Sequence, residues 1–156
     1  MEVDAVLTAI QTRLKAEMST ECGGRVFIVP SIVSVPQSYN FPYIAIIYKG
    51  GVPDSNMYGG INYHDIDIMI FQDIRAEESV VIGTTADSGQ NMGLTKLLSN
   101  VETALKNYEL PVPVPAGDST PITIMSYSGT QDWITNGEGY SASIGLTIKV
   151  GVSYGI

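Results

Sequence analysis

Odd and even positions separate cleanly along the end of the chain, GYSASIGLTIKVGVSYGI (139–156). Tyr140, Ala142, Ile144, Leu146, Ile148, Val150, Val152 and Tyr154 form one set. Ser141, Ser143, Gly145, Thr147, Lys149, Gly151 and Ser153 form the other. Successive strand residues point to opposite faces, so this pattern predicts one long strand with an apolar side and a small, polar side. At ~3.3 Å per residue it would run about 50 Å, against a usual strand of about 5–6 residues. A ribbon of that length outreaches the core that a 156-residue chain can build. The expectation is that its surplus edge is covered by a sister molecule.

The rest of the chain supplies what that strand packs against. Asp4 is placed to cap a helix carrying Val6, Leu7, Ile10, Leu14 and Met18 at three- and four-residue spacing, ended by Cys22-Gly23-Gly24. A short strand is expected at 25–29, then a connector holding Pro30 and Pro36. FPYIAIIYKGG (41–51) reads as a strand buried on both faces and broken by its glycine pair. After the loop GGVPDSNMYGG comes NYHDIDIMIFQD (62–73), where Ile66, Ile68 and Ile70 oppose Asp65, Asp67, Met69 and Phe71. The two should pair as an antiparallel hairpin.

Residues 74–91 lack a sustained period and read as a long loop with room for one short element. A second helix is predicted over 92–108, with Leu94, Leu97, Leu98, Val101, Leu105 and Tyr108 as its stripe. Pro111, Pro113, Pro115 and Pro121 forbid helix in the stretch that follows. A strand at 122–129 and the turn signal Asn136-Gly137 lead into the final strand. The expected architecture is a single α+β domain over 1–156, with two amphipathic helices packed on one face of a mostly antiparallel sheet.

Function classes narrow by chemistry. Charged residues make up only 15%, and the formal net charge is −8. Between Gly50 and Asn91 seven acids face Arg75 alone, so no basic patch is there to neutralise phosphates. One cysteine allows no internal disulfide, and a reduced compartment is the default. No apolar run reaches the ~18 residues of a membrane span, and the start MEVDAVLTAI lacks a signal-peptide pattern, so a soluble chain is expected.

His64-Asp65-x-Asp67 is the one cluster suggestive of metal or acid–base work, and strand alternation sends His64 to one side and both acids to the other. A solvated strand face is the expectation there. Cys22 with His64 as a nucleophile pair gives way to a buried thiol at a helix end. There is no nucleophile elbow, P-loop or dinucleotide fingerprint. No catalytic, cofactor-binding or metal site is predicted. Trp133 before the turn, and Met57-Tyr58 at a glycine-flanked loop tip, are contact candidates.

The order of these elements resembles the tail terminator (tail completion) proteins of long-tailed bacteriophages. The residues carrying the resemblance are AVLTAIQTRLKAE, FPYIAIIYKGG leading to YHDIDIMIFQD, GLTKLLSNVETALKN, and DWITNGEGYSASIGLTIKV with its glycine before the closing strand. It spans nearly the whole chain and departs at 74–91 and 109–121.

The resemblance implies a structural, non-enzymatic virion protein, assembled in the host cytoplasm and sited at the head-proximal end of the tail. It would form a ring, commonly a hexamer, that stops tube polymerisation and offers a surface to head-completion or connector proteins. Its partners would be itself, the tube protein, those head proteins, and the sheath protein if the tail is contractile; DNA would pass through without specific binding, and no membrane is involved. The expected interface residues are Met57, Tyr58, Trp133, Ile148, Val150, Val152 and Tyr154. Asp54, Asp65, Asp67, Asp73, Glu77 and Glu78 are expected along the bore, repelling DNA within the ~8 Å screening length of physiological salt. A neck or head–tail connector ring is the nearest alternative, a tube or baseplate component the next. A small-molecule-binding domain or hydrolase is a distant fourth.

Overall fold

A computed structural model describes residues 2–30, 41–56, 59–73, 77–83, 88–111, 119–135 and 139–155. The elements run α1 (Glu2–Glu17), α2 (Ser19–Cys22), β1 (Val26–Val29), β2 (Tyr43–Asn56), β3 (Gly59–Asp73), α3 (Glu77–Val81), a 3-10 turn (Gly89–Asn91), α4 (Leu94–Leu105), β4 (Thr123–Thr135) and β5 (Gly139–Gly155). One five-stranded sheet has the order β1-β2-β3-β5-β4; β1 lies parallel to β2, and the other pairings are antiparallel. The α+β expectation holds.

The main core lies between the sheet and the helices. Across the sheet run apolar rows, Ile44–Ile70–Ile144 and Ile46–Ile68–Leu146, set by the β2–β3–β5 register before the Tyr48/Gly50 shift. Val6, Ile10 and Leu14 of α1, with Leu94, Leu97, Val101 and Leu105 of α4, close over these rows and are fully or almost fully buried. Each such side chain is worth roughly 1.5–3 kcal/mol of transfer free energy. Arg13 ties the helices together, its Nε donating to the Ala104 carbonyl at 2.9 Å while its guanidinium lies 4.0 Å over the Tyr108 ring.

The second face of the sheet carries a buried apolar cluster at one end. Tyr43 stacks on Phe71 with ring centroids 5.0 Å apart, and Phe41 lies 5.2 Å from Tyr43 on the other side. Ala45, Ile47 and Met69 complete this buried cluster, so the expectation that 41–51 is buried on both faces holds for Tyr43–Ile47.

Several boundaries differ from the sequence reading. Asp4 lies inside the first turn of α1 rather than at its cap. The stretch read as loop 50–60 is mostly strand, because Gly50, at φ 115°, absorbs a register shift between Tyr48 and Gly50 and β2 then runs on to Asn56. The short element allowed for in the 74–91 loop is helical, α3, whose five residues are too few to show a period. The predicted 92–108 helix is shorter, Leu94–Leu105, and β4 runs six residues past the predicted 129. The turn residues Asn136-Gly137 lie outside the described residues; Thr135↔Gly139 register shows that β4 and β5 form a hairpin.

Burial sets an alkaline limit on this core. It pushes the Cys22 thiol from its ordinary 9.0 up to about 12, partly offset by nearby Arg25. Burial likewise pushes the Tyr43 hydroxyl from 10.0 up to about 12. Both acids have folded-state values above their unfolded ones. Their stabilisation is therefore whole below pH 9.0 and is lost as pH rises towards about 12. The urea midpoint should hold to about pH 8.5 and then fall, each group costing ~1.4 kcal/mol per pH unit beyond its ordinary value. Cys22→Ala should remove the part of the decline that begins first. A flat midpoint to pH 11 would contradict the burial of both groups.

Candidate assembly surfaces

Past the β2 irregularity three strands run on together as an arm. β2 from Val52 to Asn56, β3 from Gly59 to Tyr63 and β5 from Gly151 to Gly155 continue in register, ending at Asn56↔Gly59 and Gly59↔Gly155. At its root His64 is buried, and the Tyr48 hydroxyl lies 2.8 Å from His64 Nδ1. Gly51 leaves room for this pair, since a Cβ there would lie 2.9 Å from both groups and 2.6 Å from the Tyr63 carbonyl oxygen. Val52, 65% exposed, is the arm's most open apolar side chain among those described.

The alternation reading of His64 against Asp65 and Asp67 is correct in direction. The expected solvated face applies to the two acids only, because His64 turns to the helix side and is packed there. Asp67 accepts a hydrogen bond from Thr147 Oγ1 at 2.6 Å and sits 3.8 Å from Lys49 Nζ. Asp65 stands directly across from Lys149. Cys22 is shut in at the end of α2, and the partner found on His64 is Tyr48, not a thiol. Among the described residues no three His, Cys, Asp or Glu side chains gather as metal ligands would.

The expected contact residues fare unevenly. Ile148, Val150 and Val152 are fully buried in the protomer's own core and cannot serve as interface residues. The reason lies in the topology. β5 is interior to the sheet, paired with β3 from Ser141 to Gly155 on one side and with β4 from Gly139 to Lys149 on the other. Past Lys149 the second side is met by a Ser119↔Val152 bridge and by the Thr120 N–H, which donates to the Gly151 carbonyl at 2.8 Å. The edge assigned to a sister molecule is thus met at Gly151 and Val152 by the same chain.

Trp133 lies in β4 opposite Ser141, and Tyr154 in β5 opposite Gly60. Met57 and Tyr58 lie outside the described residues. The expected bore acids are spread along the sheet: Asp54 pairs with Ile61, and twelve residues of β3, about 40 Å, separate that position from Asp73. Glu77 and Glu78 are on α3, with Glu78 exposed, and Asp65 and Asp67 have lysine neighbours.

The strand expected at 122–129 is β4; what sequence reasoning missed is that it forms an exposed edge of the sheet. Its outer side is a sheet edge with Met125 and Tyr127 about half exposed. The Tyr127 hydroxyl donates to Glu102 Oε1 at 2.8 Å, a bond that raises the tyrosine's pKa. A groove between α1 and the 108–111 segment is lined by Ala5, Ala9, Ala16 and Tyr108, and its one charged wall residue, Arg13, is engaged with Ala104 and Glu17. These surfaces have the shape and apolar area that suit contact with other protein.

No family model and no curated protein matches the chain. Among solved structures, a chain of the "Virion of native gene transfer agent (GTA) particle" has a similar fold, with a TM-score of 0.67 at 15% identity, covering 97% of this chain and 96% of that one. Likeness at that identity establishes the fold.

Proposed function

We propose that this chain is a structural, non-catalytic protein of a phage-like virion, and within it a tail terminator. In this reading copies assemble as a ring on the head-proximal end of the tail tube, end its polymerisation and present a surface for joining to the head. The observation that carries the reading is the end-to-end likeness to the gene transfer agent virion chain, which leaves only a few per cent of either chain unmatched. The tail-terminator resemblance of the element order supports the finer assignment. Stopping a polymer requires a subunit that matches the tube on one side and differs on the other. A head-to-tail contact between copies closes into a ring when the rotation per subunit allows it. The burial of Ile148, Val150 and Val152 supports a contact made by other residues, with exposed Val52 on the arm and the β4 edge as candidates.

A test is to add the purified chain to the tail-tube protein of the same virion during polymerisation. A terminator shortens the tubes in proportion to its concentration and is found at one end of each. A neck or connector protein leaves the length distribution unchanged and binds only finished tails; that outcome would replace the terminator assignment.

A further inference from the structure

Sheet edges invite strand addition unless something blocks them, and three of the edge segments in this fold carry blocks written into their own residues. β1 is four residues long, is followed by Pro30, and has its Val26 carbonyl taken by Gln11 Nε2 at 2.8 Å. β2 beyond its β1 partners carries the Tyr48/Gly50 irregularity, an exposed Lys49 and Pro53, which has no N–H to offer. β4 is interrupted twice, between Ile124 and Ser126 and between Ser128 and Gln131.

The end of β5 is different. Val150-Gly151-Val152-Ser153-Tyr154-Gly155 has no charge and no proline, and its register with β3 is unbroken. On a chain of net charge −8 it is a stretch that two copies can bring together without like-charge opposition. Among the described residues, Ser119 and Thr120 stand on it as a strap. Thr120 clasps Gly151 at two points: its N–H donates to the Gly151 carbonyl at 2.8 Å, and its Oγ1 accepts from the Gly151 N–H at 2.9 Å. Ser119 bridges Val152 and is anchored in turn to Leu110, whose N–H donates to Ser119 Oγ at 2.9 Å.

The strap does not extend β4. Ile122 leaves the sheet edge for the 107–108 segment, its N–H donating to the Tyr108 carbonyl at 3.0 Å and its carbonyl accepting from the Asn107 N–H at 2.9 Å. A side-chain oxygen thus stands where a neighbouring strand would supply a carbonyl. Gly151 is shaped for that approach, because a Cβ there would lie 3.1 Å from Thr120 Oγ1 and 2.7 Å from Ile61 Cγ2.

We propose that Ser119 and Thr120 form an edge guard, which closes the Val150–Gly155 edge of β5 against the same edge of a second copy. Two such edges are self-complementary when antiparallel about a two-fold axis. The guard is independent of the virion reading, since it concerns the purified chain alone.

Thr120→Val keeps the side chain's shape and removes the acceptor. In dilute protein the Gly151 amide of this variant should exchange with deuterium roughly tenfold faster than in wild type, the loss expected for one hydrogen bond. As concentration rises, light scattering should show a species of twice the 16.7 kDa chain mass that wild type lacks, and the Gly151 amide should become protected again. Thr120→Ser, which retains the hydroxyl, should behave as wild type. The proposal is overturned if Thr120→Val opens the Gly151 amide yet keeps the wild-type mass at every concentration. It is equally overturned by association that leaves Gly151 unprotected, or by association of the serine variant.

Discussion

Ile148→Asp is expected to abolish cooperative folding of the isolated chain. Ile148 is fully buried between Ile66 on β3 and Ile124 on β4, under the helical layer. A carboxylate there has no hydrogen-bonding partner in the apolar row, and its desolvation adds to the lost packing of the isoleucine. The combined cost, about 5 kcal/mol or more, is comparable to the whole stability of an ordinary domain. Ile148→Ala, which removes only methyl and methylene groups, should cost about 2–5 kcal/mol and leave a folded chain. Circular dichroism through a thermal ramp separates the cases. The aspartate variant should show no transition, the alanine variant a lowered one. A folded aspartate variant with wild-type melting and altered mass would mean instead that Ile148 faces a partner, as the strand's alternation alone suggested.

That contrast shows what alternation encodes. The split of β5 into two sets told which side chains share a face, and Ala142 through Val152 do lie together against the helices. It carries no information about which strands lie to either side, because pairing is fixed by residues far away in the chain. Asp73 meets Ser141, and Thr123 meets Lys149. Length was also legible, but its consequence was misjudged. β2 and β3 are nearly as long as β5, and the hydrogen-bond ladder between them continues through Gly50-Gly51, Pro53 and Gly59-Gly60, where hydrophobicity had dropped to a loop-like level. The separation of His64 from Asp65 and Asp67 was readable from period two. The burial of His64 was not, because it depends on Tyr48 and Gly51 across the strand pair. The guard on Gly151 had no sequence signal beyond a glycine in a strand and a threonine after an irregular stretch.

The small residues on the other side of β5 were read as a polar surface, and here the sheet's second face explains them. Ser141 and Ser143 are buried, and the Met69 side chain lies over Gly145. A Cβ at that position would run into Met69 Sδ and sit 2.7 Å from the Ile68 carbonyl oxygen. Gly145→Val should therefore destabilise the fold by about 3 kcal/mol, at the upper end of overpacking costs, and lower the thermal midpoint by several degrees. The sulfur can be displaced, whereas the carbonyl belongs to a central strand paired on both sides. Met69→Ala in the same chain should then recover only part of the loss, giving a double variant more stable than the two single costs predict by ~1–2 kcal/mol. Strict additivity would show that methionine and glycine are not in contact, and that the strain lies wholly in the backbone of β3. Full recovery would show that the β3 backbone yields where a strand flanked on both sides should hold.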